Sequence, residues 1–283
     1  MHEYKVGFIG GGNMAQAIAT GLIGSGTDAG DILISEPNAE QRARLTEELR
    51  GAAIAIDNDA VAAAAETIVL AVKPQIMRAV CHDLRKSVQR HRPLVLTIAA
   101  GIRSAAIDRW LGGDLPIVRV MPNQPALLRR GVSGLYANDK TSGVERARAM
   151  SIMSAVGKVV GVDAEDDIDV VTAISGSGPA YFYFLIDVLQ ATGQRLGLPP
   201  ETARTLAVET AVGSSALAAE SDEAMQNLIA RVRSPGGTTA AALDSLDNEN
   251  VRAIFARAIT AAQDRAVVLA DEAEAEPDTK DNS

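Results

Sequence analysis

Two kinds of apolar pattern alternate through the first half of the chain. Short runs rich in β-branched residues predict strands at 5–10, 31–35, 66–72, 93–99 and 116–121. Helical patterns fall between these runs, as at 38–50. The runs are apolar nearly throughout, as expected for a parallel sheet that is covered on both faces. This alternation predicts a doubly wound α/β domain, to which 131–137 and 157–162 add strands near the edge.

The pattern changes after Asp163, where period-two runs disappear and helical segments continue almost to the end of the chain. These segments are predicted at 165–174, 179–196, 200–219, 222–231, 238–247 and 249–271. We therefore predict two domains, 1–163 and 164–271, followed by an acidic, disordered tail at 272–283. The Ala- and Val-rich helices have more apolar surface than a small bundle can bury, which predicts oligomerisation through them.

Composition excludes several classes of protein. Hydrophobic residues make up 47% and charged residues 22% of the chain, which is typical of a soluble globular protein. No apolar run reaches the roughly 18 residues that a membrane helix needs. The N-terminal residues run directly into a strand pattern without room for a signal peptide, so we expect a cytoplasmic protein. The net charge of −9 argues against nucleic-acid and membrane partners.

Few side chains in this sequence are candidates for unaided catalysis. The single cysteine, Cys81, lies in a helical pattern and is predicted to be a buried structural thiol. His2, His82 and His91 lack the spacing of metal ligands, so no metal is expected. No pattern suggests a Cys–His or Ser–His–Asp arrangement either. We therefore expect a bound cofactor to carry the chemistry.

A glycine-rich turn follows the first predicted strand. The segment from Gly10 to Ala15 matches G-x-G-x-x-G/A between a strand and a helix, the position that dinucleotide binding requires. Gly10 would make the tight turn, Gly12 would admit a pyrophosphate close to the backbone, and Ala15 would allow close helix packing. The helix N-terminus would face the phosphates with its free N–H groups. Such a turn can also be a plain connection between a strand and a helix that binds no ligand.

The ends of three further strands are expected to line the same crevice, because ligands bind beyond the carboxyl ends of parallel strands. Ser35 and Glu36 end the second strand where the adenosine ribose would lie. Glu36 could accept both ribose hydroxyls and repel a 2′-phosphate, whereas Ser35 or Asn38 could simply cap the next helix. Residues that close the other two strands are Ala71, Val72, Lys73, Pro74, Ala99, Ala100 and Gly101.

Two glycine- and serine-rich segments open helices in the second half. Residues 175–181 read SGSGPAY and residues 234–239 read SPGGTT. Small residues and hydroxyls at a helix N-terminus form a suitable pocket for an anion such as a carboxylate. Each segment taken alone can equally be a helix cap.

Taken together, the segments GGGNMA, AVKP, AAG, MPNQP, SGSGPAY and SPGGTT occur here in the order and spacing of one family. The chain resembles pyrroline-5-carboxylate reductase over roughly residues 5 to 270, most specifically in SPGGTT. The resemblance implies an N-terminal Rossmann-like doubly wound parallel sheet followed by an all-α C-terminal dimerisation domain. It also implies a homodimer, or a decamer assembled from dimers.

The resemblance assigns roles to individual residues. It places the carboxylate and ring nitrogen of a small-molecule substrate at Ser234, Gly237, Thr238 and Thr239, with Thr239 as the catalytic candidate that polarises the nitrogen. It assigns cofactor contacts to Ile9, Gly10, Gly11, Gly12, Asn13, Met14, Ala15, Glu36, Asn58, Ala71, Lys73, Pro74, Ala99, Ala100 and Gly101. Two positions depart from the family pattern: Gln124 replaces a usual threonine, and Arg231 replaces a usual amide.

The implied reaction is the NAD(P)H-dependent reduction of 1-pyrroline-5-carboxylate to L-proline. Glu36 favours NADH, although Arg42 or Arg44 could instead pair with the phosphate of NADPH. A related imine reductase and a β-hydroxy acid dehydrogenase are the rival enzymes, and a non-catalytic dinucleotide sensor is the other alternative. The dehydrogenase typically needs a lysine in the second domain, and residues 163–270 contain none.

Overall fold

The computed structural model describes residues 3–275. Contacts divide the chain into two compact units. The first comprises the chain up to Gly176 together with the segment from Ala262 onward, and the second comprises Ser177–Ala261. This division falls later than the predicted domain boundary after residue 163. The reason is that helix α7 (Asp167–Val171) packs against the sheet of the first unit through the buried Ile168 and Asp169.

The first unit is built on an eight-stranded sheet with the order β3-β2-β1-β4-β5-β6-β7-β8. All neighbouring strands are parallel except β6 and β7, which are antiparallel. The strands are β1 (Tyr4–Ile9), β2 (Ile32–Ser35), β3 (Ala53–Ala55), β4 (Ala65–Leu70), β5 (Leu94–Thr97), β6 (Ile117–Met121), β7 (Gly131–Ala137) and β8 (Gly157–Gly161). The predicted doubly wound sheet is confirmed, and the short β3 is an additional strand that the sequence pattern did not predict.

Helices cover both faces of this sheet. They are α1 (Asn13–Gly24), α2 (Ala39–Glu48), α3 (Asn58–Ala64), α4 (Pro74–His91), α5 (Ser104–Leu111), α6 (Gly143–Ser154) and α7. Consecutive residues of β1 belong to different cores, since Phe8 packs in one buried cluster and Ile9 in the other. Because successive side chains of a strand point to opposite faces, two separate cores sandwich the sheet.

The second unit is entirely helical. It contains α8 (Gly178–Arg195), α9 (Pro200–Glu220), α10 (Met225–Val232) and α11 (Thr238–Asn248), and it shares α12 (Val251–Ala275) with the first unit. These bounds agree closely with the predicted helices. Residues 272–275, which the sequence assigned to a disordered tail, instead continue α12, and 276–283 lie outside the described residues. Within residues 3–275, no helix is long and apolar enough to cross a membrane.

Candidate functional site

The glycine-rich turn lies at the carboxyl end of β1, in the middle of the sheet. Gly10 has a φ of 97°, and a Cβ there would lie 3.0 Å from the carbonyl oxygen of Ala71. A side chain is therefore excluded by both conformation and space. Gly12, by contrast, is exposed, and a Cβ there would meet nothing within 4 Å. The turn thus leaves open space beside Gly12, where the backbone can approach a ligand.

Helix α1 begins at Asn13, directly after this turn. Gly12 is its N-cap and contributes no side-chain hydrogen bond, and its first turn contains no acidic residue. Met14 and Ala15 follow, and Ala15 is buried against the sheet as predicted. The first N–H groups of the helix and its positive dipole end are consequently available to an anion.

The carboxylate of Glu36 lies against the same turn. Its Oε2 accepts a hydrogen bond of 3.0 Å from the backbone N–H of Gly11, and its Oε1 accepts one of 2.9 Å from the N–H of Asn38. Gln41 completes the contact by donating from Nε2 to the carbonyl oxygen of Gly11 at 2.8 Å. Two carboxylate oxygens can accept about four hydrogen bonds, so Glu36 retains acceptor sites for further donors.

The two arginines that the sequence offered as phosphate ligands are already engaged. Arg42 donates from Nη1 to the carbonyl oxygens of Glu36, at 2.9 Å, and Pro37, at 2.7 Å. Arg44 lies 3.6 Å from Glu48 in an ion pair one helical turn along α2. Asn38, rather than Ser35, caps α2 by accepting from the N–H of Gln41.

Ser35 and Asn58 meet beneath the turn. The buried Ser35 hydroxyl lies 3.2 Å from the carbonyl oxygen of Phe8 and donates to Oδ1 of Asn58 at 2.7 Å. Asn58 begins α3, so this contact joins the ends of β1 and β2 to the start of that helix. The structure thus brings Ile9–Ala15, Ser35, Glu36 and Asn58 together at one edge of the sheet.

The ends of β4 and β5 extend the same edge. Ala71 donates from its N–H to Ile9, and Lys73 and Pro74 are exposed at the start of α4. After β5, Ala99 is buried, Ala100 is half-buried and Gly101 has a φ of 70°. A Cβ at Gly101 would lie 3.1 Å from the Cβ of Leu269 on α12. Val72 lies beside the turn, because its Cγ1 would be 3.1 Å from a Cβ added to Gly10.

The segment SPGGTT begins α11 in the second unit. The carbonyl oxygen of Ser234 accepts a hydrogen bond of 3.0 Å from the N–H of Gly237. This bond closes a tight turn in which Gly236 has a φ of 69°. Gly237 is the N-cap without a side-chain hydrogen bond, and Thr238 and Thr239 form the first turn of the helix. The predicted substrate residues therefore cluster at a helix N-terminus whose first N–H groups face no side-chain cap.

The unusual Arg231 lies near this turn but has its own partner. It pairs with Glu223 at 2.5 Å and is largely exposed. Arg233, which the sequence analysis did not single out, pairs with Asp244 of α11 at 2.5 Å. Gln124 lies in the single 3-10 turn after β6 and is exposed.

A buried ion-pair cluster is the main feature that the sequence analysis missed. Arg119, in β6, and Asp169, in α7, are both fully buried and pair at 3.0 Å, although 50 residues separate them in the chain. Glu165 lies 3.4 Å from Arg119. The pKa of the neighbouring Tyr136 is raised by burial and, secondarily, by the charge of Glu165. The sequence did contain one sign of this cluster, because Arg119 lies inside a predicted apolar strand.

The other titratable groups of residues 3–275 form no metal site. In the part of the chain that the structure describes, no three His, Cys, Asp or Glu side chains are grouped to hold a metal ion. Cys81 is fully buried, as predicted, and burial raises the pKa of its thiol to about 12.

Comparisons with known proteins cover nearly the whole chain. Residues 165–269 match the family model described as pyrroline-5-carboxylate reductase dimerisation, and residues 5–101 match the model described as NADP oxidoreductase, coenzyme F420-dependent. The pyrroline-5-carboxylate reductase of Pseudomonas aeruginosa is 43% identical, over 96% of this chain and 99% of its own.

Solved structures give the same relationship. A pyrroline-5-carboxylate reductase from Coxiella burnetii superposes with a TM-score of 0.90 at 39% identity, covering 95% of this chain and 99% of the other. The Plasmodium falciparum enzyme, solved with NADP bound, gives a TM-score of 0.83 at 28% identity, covering 95% of this chain and 99% of the other.

Proposed function

This chain belongs to the pyrroline-5-carboxylate reductase family, and on that premise we propose how its residues divide the work of the reaction. It is an NAD(P)H-dependent oxidoreductase that acts on a C=N bond and reduces 1-pyrroline-5-carboxylate to L-proline. The observation that carries this function is the 43% identity to a curated reductase over 96% of the chain.

The turn from Ile9 to Ala15 would hold the cofactor pyrophosphate. The open space beside Gly12 and the uncapped start of α1 support this role, because both suit a close-lying anion. Asn58 and the strand-end residues Ala71–Pro74 and Ala99–Gly101 would line the rest of the cofactor crevice. When bound, the reduced nicotinamide supplies the hydride for the substrate carbon.

The substrate would bind through the start of α11. The free N–H groups of its first turn and the Ser234 hydroxyl suit a carboxylate. Thr239 would donate a hydrogen bond to the ring nitrogen, while Gly237 and Thr238 shape the turn. Reduction of C=N adds a hydride to carbon and a proton to nitrogen. Threonine is a weak acid, so Thr239 would orient and polarise the imine, and water or a protonated imine would supply the proton.

We favour NADH over NADPH as the cofactor. Glu36 is fixed by two backbone N–H groups beside the glycine turn and keeps acceptor sites for two ribose hydroxyls. A 2′-phosphate at this position would meet that negative charge. Arg42 and Arg44 would have to leave their present partners before pairing with a phosphate. The NADP in the Plasmodium enzyme belongs to a chain that is 28% identical to this one.

The protein forms an oligomer through its family dimerisation region. Helices of the second unit expose many large apolar side chains, and contiguous apolar surface of this kind marks an interface. They include Phe182, Tyr183, Phe184, Leu185, Val188, Leu189 and Leu206. A homodimer is the proposed minimum, with a decamer assembled from dimers as the larger assembly, in the cytoplasm.

A direct assay tests the function. Purified protein is mixed with 1-pyrroline-5-carboxylate and NADH or NADPH, and the loss of nicotinamide absorbance is followed while proline is quantified. We expect stoichiometric proline formation. Activity only on other cyclic imines would identify a related imine reductase. Oxidation of β-hydroxy acids would identify the dehydrogenase, and cofactor binding without turnover would identify a sensor.

A further inference from the structure

The pair formed by Arg119 and Asp169 is the most deeply buried charge cluster of the described residues. Both side chains are at most 2% exposed, and Nη2 of Arg119 lies 3.0 Å from Oδ1 of Asp169. Among the described residues, neither Nε of Arg119 nor Oδ2 of Asp169 has a hydrogen-bond partner. A buried pair that is only partly satisfied is a poor source of stability, because apolar residues of similar volume often serve as well. Such a pair therefore calls for another explanation.

Further bonds extend the pair to the start of α5. Glu165 lies 3.4 Å from Arg119 and accepts two hydrogen bonds of 2.6 Å from Ser104, one from its N–H and one from its hydroxyl. Arg103 pairs with Asp166 and lies 3.9 Å from Asp169. The cluster thus joins three separate segments of one unit: the start of α5, the middle of β6 and helix α7.

The first of these segments adjoins a loop that the proposed function uses, and the other two adjoin Asn123 and a π-helical turn. Ser104 begins α5 directly after the loop that contains Ala99–Gly101. Arg119 precedes Asn123, whose side chain donates to the carbonyl oxygen of Ser175 at 3.1 Å and accepts the N–H of Val132 at 2.9 Å. Asp169 lies just before the π-helical turn Thr172–Gly176, a geometry that is frequent at functional sites.

We propose that Arg119 and Asp169, acting through Glu165 and Ser104, are positioning residues for the reaction. They hold the Ala99–Gly101 loop in one geometry relative to β6 and α7. The inference rests on the proposed function, in which this loop lines the cofactor crevice. Small displacements of groups that orient reactants lower the rate strongly, even when those groups take no part in the chemistry.

The double variant Arg119→Met/Asp169→Leu separates positioning from stability. It replaces both buried charges with apolar side chains, while Glu165 keeps its two hydrogen bonds from Ser104 and Arg103 keeps its pair with Asp166, so the fold should be retained. Two readouts are compared with wild type: kcat with saturating substrate and cofactor, and hydrogen exchange of the backbone amides at 97–104 in the protein without cofactor. We expect kcat to fall roughly ten- to a hundredfold. Loop amides should exchange severalfold faster, and KM should change less than kcat.

Val88→Ala serves as the matched control, because Val88 is a buried residue of α4 outside the cluster. It should leave both readouts within about twofold of wild type. If the double variant does not fold, two milder variants replace it: Ser104→Ala removes one hydrogen bond, and Glu165→Gln removes one charge. Both must show a lower kcat and faster exchange of the loop amides, each in weaker form. An unchanged kcat or unchanged loop exchange in the folded variants overturns the proposal. Hydrogen exchange needs no substrate, so a failure of the proposed function, seen as an inactive wild type, is distinguished from a failure of this inference.

Discussion

The carboxylate of Glu36 is held 3.0 Å from the backbone N–H of Gly11, a residue 25 positions earlier in the chain. This bond ties the end of β2 to the glycine turn after β1. It fixes the direction of a negative charge at the edge of the proposed cofactor crevice, so cofactor preference should respond to that single side chain.

Replacing Glu36 with serine should shift the preference toward NADPH. The substitution removes a charge that repels a 2′-phosphate and releases the Gly11 N–H. We expect kcat/KM for NADH to fall and the NADH/NADPH ratio of kcat/KM to drop by about tenfold, which corresponds to about 1.4 kcal/mol. Steady-state kinetics with both cofactors measure this ratio. Glu40→Ser, an exposed acid in the first turn of α2, is the control. A wild type that prefers NADPH, with no shift on substitution, would contradict the assignment.

Gly10 and Gly12 should respond differently to alanine. Gly10→Ala introduces a side chain at a φ of 97° and 3.0 Å from a carbonyl oxygen, so it should lower the thermal midpoint as well as cofactor affinity. Gly12→Ala has open space for its Cβ and should leave the midpoint within a few degrees. It should nevertheless weaken cofactor binding, because the methyl group would occupy the position of the pyrophosphate. Thermal unfolding and fluorescence titration separate the two effects, and equal binding by Gly12→Ala and wild type would refute this role.

Removing the hydroxyl of Thr239 should impair catalysis without unfolding the protein. Thr239→Val keeps the shape of the side chain but loses the proposed hydrogen bond to the ring nitrogen. A hydrogen bond to a charged group contributes about 1.5–3 kcal/mol, so kcat/KM should fall about ten- to a hundredfold with cofactor binding intact. Thr260→Val, at an exposed helical threonine of α12, should have no such effect. Activity within a factor of two for Thr239→Val would leave this residue as part of the helix start only.

Cys81 should be inert in the native protein. Burial raises the pKa of its thiol to about 12, so roughly one molecule in ten thousand carries a thiolate at pH 8, and the sulfur is fully buried. A thiol reagent such as iodoacetamide should leave the native protein unmodified for hours and label one site rapidly in urea. Mass spectrometry measures both. Rapid labelling of the folded protein would show that α4 opens far more often than its packing implies.

A charge on α8 should weaken the oligomer. Leu189 is 53% exposed in the isolated chain and belongs to the apolar surface of the second unit, so Leu189→Asp should raise the dimer dissociation constant at least tenfold. Leu127 is a matched control, because it is 51% exposed but lies in the first unit. Sedimentation velocity at micromolar concentration measures the change. Dissociation by Leu127→Asp, with Leu189→Asp still dimeric, would place the interface elsewhere.

Local patterns in the sequence determined most of the architecture. The apolar runs predicted seven of the eight strands and a parallel sheet, which holds for every neighbouring pair except β6 and β7, because strands buried on both faces leave little choice of side chain. They did not predict β3, which has three half-buried residues and is too short to show a period. The glycine turn and the positions of Ser35, Glu36 and the later strand ends also followed from sequence, since parallel strands bring their carboxyl ends to one edge.

Only the tertiary structure decided which distant groups meet. The contact of Glu36 with Gly11, the pairing of Arg119 with Asp169 and the assignment of α7 to the first unit depend on contacts between segments up to 50 residues apart. A sequence pattern records whether a position is apolar or polar, but the direction of a side chain depends on the strand order and helix packing around it. For this reason the sequence shows Arg119 only as a charged residue within an apolar strand. Its partner, Asp169, is identified only by the packing of α7 over β6.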